Sequence, residues 1–254
     1  MYIDVNNHKT YAYTGGKDFN PSQPTAVLIH GVLCDHSVWA LQSRYLANHG
    51  WNVLAIDLPG HARSQGPAAA SVEEAADQIH AMLDAAGLDR VALVGHSWGS
   101  LIALEAAARL KQRATHLALI GAAFPMPVAA SLLEASLADP DKAIAMINVF
   151  SRATLAAPPS AMGPGTWVHG ASTALNRRVL ASNTKVNLLH RGFTACDIYD
   201  QGLQAMANRL FNQPELWREQ SAFFRQPLAQ RDGQVEDVTQ RVTFDEPPEE
   251  DEHA

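Results

Sequence analysis

A serine at the centre of the pentapeptide GHSWG (95–99) is the sharpest chemical feature of the sequence. It follows the apolar run RVALVGHS (90–97), which predicts a buried strand, and it precedes an alanine-rich stretch that predicts a helix from Trp98 to Leu110. A strand that turns abruptly into a helix holds the serine in a strained conformation with its hydroxyl projecting. The helix N-terminus favours negative charge that develops beside it. Ser97 is therefore the candidate nucleophile.

A second motif, HGVL (30–33), could complete an acyl-transfer site. It directly follows the apolar run TAVLIHG (25–31), which predicts another buried strand. Acyl transfer through a serine requires two backbone N–H donors for the oxyanion. Trp98, the residue after the nucleophile, would supply one donor, and Val32 in this loop would supply the other. We expect His30 to brace the loop rather than to take part in the chemistry.

A third motif, DLPGHARS (57–64), follows the apolar run NVLAIDL (52–58) and predicts a tight structural turn without a chemical step. Together with VLIHG (27–31) and VALVGHSWGS (91–100), it resembles the α/β-hydrolase fold over about residues 20–207. Ala62 departs from the family, which usually has glycine there. The resemblance implies a lidded, single-domain serine hydrolase. Ser97 argues against the dehalogenase and epoxide-hydrolase branches, which place an aspartate at this position.

The acid and the histidine of the triad are not evident in the sequence. In the family, the serine is followed by an acid after a strand and then by a histidine after the last strand. Beyond residue 207 the least unsuitable pair is Asp232 and His253, which keeps this order without the expected strand context. The run VTQRVTF (238–244) is the best candidate for a last strand. The remaining histidines after Ser97, which we interpret as structural or surface residues, are His116, His169 and His190.

The order of apolar runs and helical patterns predicts the architecture. Val/Ile/Leu-rich strands that alternate with helices indicate a doubly wound, mostly parallel sheet that is covered on both faces. We predict an α/β-hydrolase core over 1–124, a helical lid over 125–207, and an atypical acidic segment over 208–254 whose end has the composition of a disordered terminus. An Asn6-Asn7 turn predicts an N-terminal hairpin over 2–13, and Ser71 with Glu74 predicts a capped helix.

Composition excludes several classes of protein. The 254 residues carry a net charge of −7, which argues against nucleic-acid binding, and no apolar run is long enough for a membrane span. The N-terminus has no secretory pattern, and two cysteines, Cys34 and Cys196, exclude a disulfide framework. A cytoplasmic location is therefore expected. No metal-ligand spacing is present, so neither a metal nor another cofactor is predicted.

Two functional interpretations follow from these residues. The first is a serine hydrolase of small esters or thioesters that forms an acyl-enzyme intermediate. The second is a catalytically inactive, truncated or frameshifted α/β-hydrolase-like protein, because 11 of the 26 acidic residues lie in 208–254 and the triad partners lack their context. Missing last strands would leave a sheet edge exposed, which predicts a homo-oligomer formed through that edge.

Overall fold

A six-stranded sheet is the centre of the fold in the computed structural model, which describes residues 1–20, 22–150 and 165–212. The strands are β1 (Tyr2–Val5), β2 (His8–Tyr13), β3 (Thr25–Ile29), β4 (Asn52–Ile56), β5 (Val91–His96) and β6 (Ala114–Ile120). Their order in the sheet is β1-β2-β4-β3-β5-β6. The four strands from β4 to β6 run parallel, whereas β1 and β2 form an antiparallel pair. The predicted α/β fold is therefore confirmed.

The parallel strands are the apolar runs of the sequence. Every residue of β3 and β4 is buried, because both faces of these strands are covered. Successive side chains alternate between two apolar clusters: Val27 and Ile29 belong to one, whereas Leu28 belongs to the other together with Trp39. The strands end slightly before the predicted runs do, because the motif residues that follow them form turns.

The N-terminal hairpin turns at the two asparagines that the sequence singled out. Asn6 and Asn7 have φ values of 48° and 66°, the left-handed conformation that a two-residue type I′ turn requires at both central positions. Val5 pairs with His8 across this turn. Asparagine tolerates the left-handed region better than most residues do, so the predicted hairpin is confirmed.

Three helices accompany the strands: α1 (Ala40–Asn48), α2 (Val72–Ala85) and α3 (Trp98–Leu110). The Ser71 hydroxyl caps α2 by accepting the Glu74 N–H at 3.1 Å, as the sequence predicted. A short 3₁₀ helix, His36–Trp39, precedes α1 and buries Trp39, which anchors this end of the helix to the core.

The described residues after β6 form four helices. The helices are α4 (Ala130–Ala138), α5 (Pro140–Phe150), α6 (Gly165–Ala181) and α7 (Leu188–Asn212). α7 is joined to the sheet region by Tyr199, whose hydroxyl donates to Glu105 of α3 at 2.8 Å. The chain divides into two units between Met206 and Ala207, and the candidate site lies in the first.

Strand β6 forms an edge of the sheet within the described residues, where its single partner is β5. Leu117, Leu119 and Ile120 on this strand are 40%, 42% and 44% exposed. Such exposure is unusual for aliphatic side chains on a parallel strand. In the described part of the chain, no helix combines the length and the apolarity that a membrane span requires.

Candidate active site

Ser97 occupies the sharp turn between β5 and α3. Its backbone has φ 53° and ψ −121°, a conformation that costs an L-residue about 1–3 kcal/mol. The turn is tight because a Cβ on Gly95 would collide with the backbone of Gly99, and a Cβ on Gly99 would collide with the carbonyl of Ile29. Ser97 is half-buried at this crossing. The strand–serine–helix geometry expected of the pentapeptide is therefore present.

Ser100, which the sequence analysis did not single out, ties this turn to the sheet. Its buried hydroxyl lies 2.8 Å from the Gly95 carbonyl oxygen and accepts the Ile120 N–H at 3.2 Å. The Ser97 N–H donates to the Ile120 carbonyl at 2.8 Å. The last residue of β6 thus fixes both ends of the turn. The sequence signal for this role was the second serine of GHSWGS, which lies three residues, or almost one helical turn, after Ser97.

The loop after β3, residues 31–35, lies against the serine, and we name it the oxyanion loop. A Cβ on Gly31 would lie 3.1 Å from the Ser97 Cβ. The loop and the Ser97 turn are therefore close enough for both to contact the same substrate carbonyl group. The Cys34 N–H donates to the Gly31 carbonyl at 3.2 Å and closes a turn. Within that turn Leu33 has φ 53°, the left-handed region that favours glycine.

Two backbone N–H groups are candidates for oxyanion binding. Among the described residues, the Val32 N–H has no hydrogen-bond acceptor. Trp98 is the first residue of α3, so its N–H has no acceptor within the helix. Both groups belong to segments that approach Ser97, and the helix N-terminus adds a favourable dipole.

His30 braces the oxyanion loop, as expected. It is completely buried, its Nδ1 lies 2.8 Å from the Gly31 carbonyl oxygen, and its Nε2 accepts the Leu58 N–H at 3.1 Å. Burial lowers the pKa of His30, so the ring stays neutral and can donate from one nitrogen while accepting at the other. The ring thereby joins the loops after β3 and β4.

The Asp57 turn is held by hydrogen bonds. The buried Asp57 carboxylate accepts the His36 N–H at 2.8 Å and the Arg63 N–H at 3.1 Å, and the His36 Nδ1 lies 2.7 Å from it. Ligand atoms of Asp35, His36 and Asp57 lie within 4.8 Å of one another. Asp35 is already engaged by Arg178 and by Ser37. Hydrogen bonds therefore occupy the positions that a metal ion would need.

The two cysteines do not compete with Ser97 as nucleophiles. Burial raises the pKa of both thiols, Cys34 and Cys196, to about 12. The thiolate is the reactive form of cysteine, so both side chains remain unreactive thiols near neutral pH. Both are unpaired. Of these three side chains, Ser97 therefore remains the candidate nucleophile.

The predicted acid and base, Asp232 and His253, lie outside the described residues, as does the predicted strand over 238–244. His190 is a structural residue, because its Nδ1 lies 2.8 Å from the Ser136 hydroxyl within the helices after β6. His116 is exposed on β6. The side chain of His169 lies outside the described part of the chain. The described residues therefore bring Ser97 close to the loop that carries Val32 and to Trp98, and the roles of these residues, like the acid–base pair, remain predictions.

Comparison with protein families gives one match that covers the site. Residues 24–147 match the family model described as alpha/beta hydrolase fold. The matched range includes the oxyanion loop, the Asp57 turn and the Ser97 turn. It ends within α5, before the segments in which the acid and the histidine were sought.

Several curated relatives match part of the chain. A (E)-2-((N-methylformamido)methylene)succinate hydrolase from Acinetobacter baylyi is 34% identical over 101 residues, 39% of this chain and 36% of the relative. A 2-succinyl-6-hydroxy-2,4-cyclohexadiene-1-carboxylate synthase from Serratia proteamaculans is 37% identical over 84 residues, 32% of this chain and 31% of the relative. Lipase LipV from Mycobacterium tuberculosis is 32% identical over 126 residues, 48% of each chain. The match thus spans about a third of the length of the first two relatives.

Solved structures agree on the fold over a longer range. An esterase from Exiguobacterium antarcticum superposes with a TM-score of 0.61 at 18% identity and covers 77% of this chain and 72% of its own. An enol-lactonase from Burkholderia xenovorans gives 0.59 at 21% identity, over 78% of this chain and 73% of its own. Identities this low establish the fold alone. With the strand order, the Ser97 turn and the match of residues 24–147 to the family model, they show that the chain has the α/β-hydrolase fold.

Proposed function

We propose that this protein is a serine hydrolase of small esters or thioesters, with Ser97 as the nucleophile. The observation that carries the proposal is the backbone of Ser97, which is held at φ 53° between β5 and α3 with the oxyanion loop against it. Strained backbone conformations persist where the surrounding structure enforces them, and they concentrate at functional sites. At Ser97 this conformation coincides with the close approach of the oxyanion loop, and the coincidence supports a catalytic role.

The reaction would proceed through an acyl-enzyme. The Ser97 oxygen attacks the carbonyl carbon of the substrate and gives its proton to a base, and the carbonyl oxygen becomes an oxyanion bound by the Val32 and Trp98 N–H groups. The tetrahedral intermediate collapses, and the alcohol or thiol leaves with the proton from the base. Water then attacks the carbonyl carbon of the acyl-enzyme and gives a proton to the base. The second tetrahedral intermediate collapses, the Ser97 oxygen leaves and takes the proton back from the base, and the carboxylic acid is released. No metal and no other cofactor takes part.

For the base we propose His253, oriented by Asp232. This pair keeps the order of serine, acid and histidine along the chain that the family uses. Neutral imidazole accepts the serine proton, and a carboxylate beside it stabilises the imidazolium that forms. Of the other histidines, His30 and His190 are already engaged in structural hydrogen bonds.

The proposed substrate is small, uncharged and partly apolar. Residues 125–207 would act as a lid over the site, and their apolar composition favours such a substrate. The relative named lipase, which is 32% identical over 48% of this chain, supports ester-like chemistry. The chain would act on this substrate without nucleic acid or a membrane as partner.

Fluorophosphonate labelling tests the proposal. We expect intact mass to show one phosphonyl adduct per chain and peptide mapping to place it on Ser97. The control is Ser97→Ala, which retains the fold and should gain no adduct. Wild-type protein that is folded by circular dichroism but remains unlabelled would overturn the proposal and favour the inactive α/β-hydrolase-like alternative. Adducts at another residue would also overturn it.

The exposed strand β6 carries a proposal about assembly. Two copies could pair their β6 edges about a twofold axis, which would satisfy the outer backbone groups and bury Leu117, Leu119 and Ile120. We expect wild-type protein to sediment as a dimer and Leu119→Lys to shift it towards monomer, because a charge on each copy would face the other. The matched control is Leu41→Lys, an exposed leucine on α1 that is 70% exposed and far from β6 in sequence. A wild-type monomer at every concentration would contradict this.

The proposed compartment is the cytoplasm. Both cysteines are free thiols, which agrees with a reducing environment. Mass spectrometry of fractionated cells of the source would test the location directly. Enrichment with the membrane or the culture supernatant would contradict it.

A further inference from the structure

We propose that Asn176 of α6 is a positioning residue for the oxyanion loop, assisted by Arg178. This inference rests on the proposed function, because it concerns the loop that presents the Val32 N–H. It assigns a role in the chemical step to the helices after β6, which the sequence analysis treated only as a cover for the site. The argument starts from the loop itself.

The oxyanion loop adopts a conformation that its own sequence does not favour. Leu33, completely buried, has φ 53°, and a residue with a γ-branched side chain rarely adopts this region. The hydrogen bond from the Cys34 N–H to the Gly31 carbonyl closes the turn and holds the N–H side of the peptide after Leu33. The Leu33 carbonyl on the other side of that peptide finds its donor outside the loop.

Asn176 supplies the first such contact. Its Nδ2 donates to the Leu33 carbonyl at 2.9 Å, and Asn176 is only 5% exposed. The orientation of the amide is fixed on the other side, because its Oδ1 accepts from the Asn148 Nδ2 of α5 at 3.2 Å. Asn148 is itself buried and lies 3.0 Å from the Ile144 carbonyl oxygen. A buried polar chain thus runs from α5 through α6 to the loop.

Arg178 supplies the second contact, two residues further along the loop. Its guanidinium donates to the Asp35 carboxylate at 2.6 Å. Burial alone would raise the pKa of Asp35, but hydrogen bonds from Ser37 and Arg178 outweigh burial and lower it, so the carboxylate is charged. The same carboxylate caps the following 3₁₀ helix through the Ser37 N–H. Arg178 therefore restrains Asp35, the last residue of the oxyanion loop, where the chain enters the 3₁₀ helix His36–Trp39.

Helix α7 supplies the third contact, directly at the proposed donor. A Cβ on Gly192 would lie 2.9 Å from one Val32 methyl carbon and 3.1 Å from the other, so the Val32 side chain packs on the backbone of α7. Val32, Leu33 and Asp35 are each held by a residue of α6 or α7. These helices therefore restrain the loop that carries the Val32 N–H.

Loss of the Asn176 contact should weaken transition-state stabilisation more than substrate binding. An oxyanion donor acts when the carbonyl oxygen gains charge, and loss of one donor lowers kcat by about 10²–10³-fold. A misdirected donor loses part of that effect. We expect Asn176→Leu, which removes the amide at similar volume, to lower kcat about 10–100-fold and to change KM by less than about 3-fold.

The matched control is Asn187→Leu. The Asn187 Nδ2 also donates to a backbone carbonyl, that of Ser136 on α4, at 2.8 Å. In contrast to Asn176, its amide does not bind the oxyanion loop. We expect Asn187→Leu to lose comparable thermal stability while retaining kcat. Asn176→Gln keeps a donor and should recover part of the lost rate.

The decisive measurement is the first-order rate of Ser97 phosphonylation at saturating fluorophosphonate. We expect a slower rate in Asn176→Leu and a wild-type rate in Asn187→Leu. Equal rates in wild type and Asn176→Leu would overturn the inference while leaving the proposed function intact. Wild-type protein that does not label at all would overturn the proposed function and this inference with it.

A second variant covers the case in which Asn176→Leu does not fold. The Arg178 side chain is 63% exposed, so Arg178→Met should fold. It breaks only the contact to Asp35, and we expect about a 3–10-fold slower phosphonylation, with partial recovery in Arg178→Lys. An unchanged rate in Arg178→Met, together with an unfolded Asn176→Leu, would also overturn the inference.

Discussion

Replacing Ser97 with glycine is expected to abolish ester turnover and, at the same time, to give a more stable protein than Ser97→Ala. Both variants lose the nucleophile, so kcat/KM should fall by about 10⁴-fold or more in each. They differ only in the Cβ. At φ 53° and ψ −121° the Cβ of alanine is strained, whereas glycine adopts this conformation freely.

The net effect on stability follows from two opposing terms. Relief of backbone strain contributes about 1–3 kcal/mol, and the greater freedom of glycine in the unfolded chain costs about 0.4–1 kcal/mol. We therefore expect the free energy of unfolding of Ser97→Gly to exceed that of Ser97→Ala by about 1 kcal/mol in urea titrations. The strained backbone would then lower the stability of the fold while it lets the Ser97 hydroxyl project from the turn.

Ala108 provides the control for this comparison. It is exposed in the last turn of α3, where helical backbone geometry still applies. Ala108→Gly should lose about 1 kcal/mol, the opposite sign to the change from alanine to glycine at position 97. If Ser97→Gly proved less stable than Ser97→Ala, the φ of Ser97 would not be the source of strain that we infer.

Most of the sheet could be predicted from the sequence because its signals are local. Continuous apolar runs such as TAVLIHG (25–31) occur where a strand is buried on both faces, and Asn6-Asn7 satisfies a turn that needs two left-handed residues. The α3 helix was predicted from Trp98 to Leu110 and has these bounds. In each case a few neighbouring residues determine the element.

The site was predictable only in part, because some of its contacts join residues far apart in the chain. Ser97, Val32 and Trp98 belong to motifs with defined geometry. The contact between Asn176 and Leu33 spans 143 positions, and no local pattern distinguishes Asn176 from the other asparagines of the helices after β6. Ser100 was nearer to the motif, but its function depends on the carbonyl of Ile120, which comes from another strand.

His61 shows the same limit in a residue that does belong to a motif. The sequence placed it in the turn DLPGHARS (57–64), and only the fold reveals that it is 2% exposed. Its Nδ1 lies 3.1 Å from the Pro59 carbonyl oxygen, and its Nε2 has no partner among the described residues. Its ring stands 5.3 Å from that of His30 and 5.9 Å from that of Trp98, the proposed oxyanion donor.

This burial makes stability depend on pH. Desolvation, with a smaller contribution from His30, lowers the pKa of His61 from 6.5 to about 3. Between these values the unfolded chain binds a proton at this residue and the folded chain does not, so stability rises with pH. The contribution is fully present above pH 6.5 and is lost as the pH falls towards 3. The slope approaches about 1.4 kcal/mol per pH unit.

We therefore expect His61→Leu to flatten the pH dependence of unfolding. Urea titrations between pH 6.5 and about 5, above the range in which ordinary carboxyl groups titrate, should show a slope smaller by about one proton than in wild type. The absolute stability of the variant does not matter, because the readout is the slope. His8→Gln, at an exposed position, should keep the wild-type slope. A slope in His61→Leu equal to that of wild type would mean that His61 is protonated in the folded state. It would contradict the inference that the buried His61 ring is neutral.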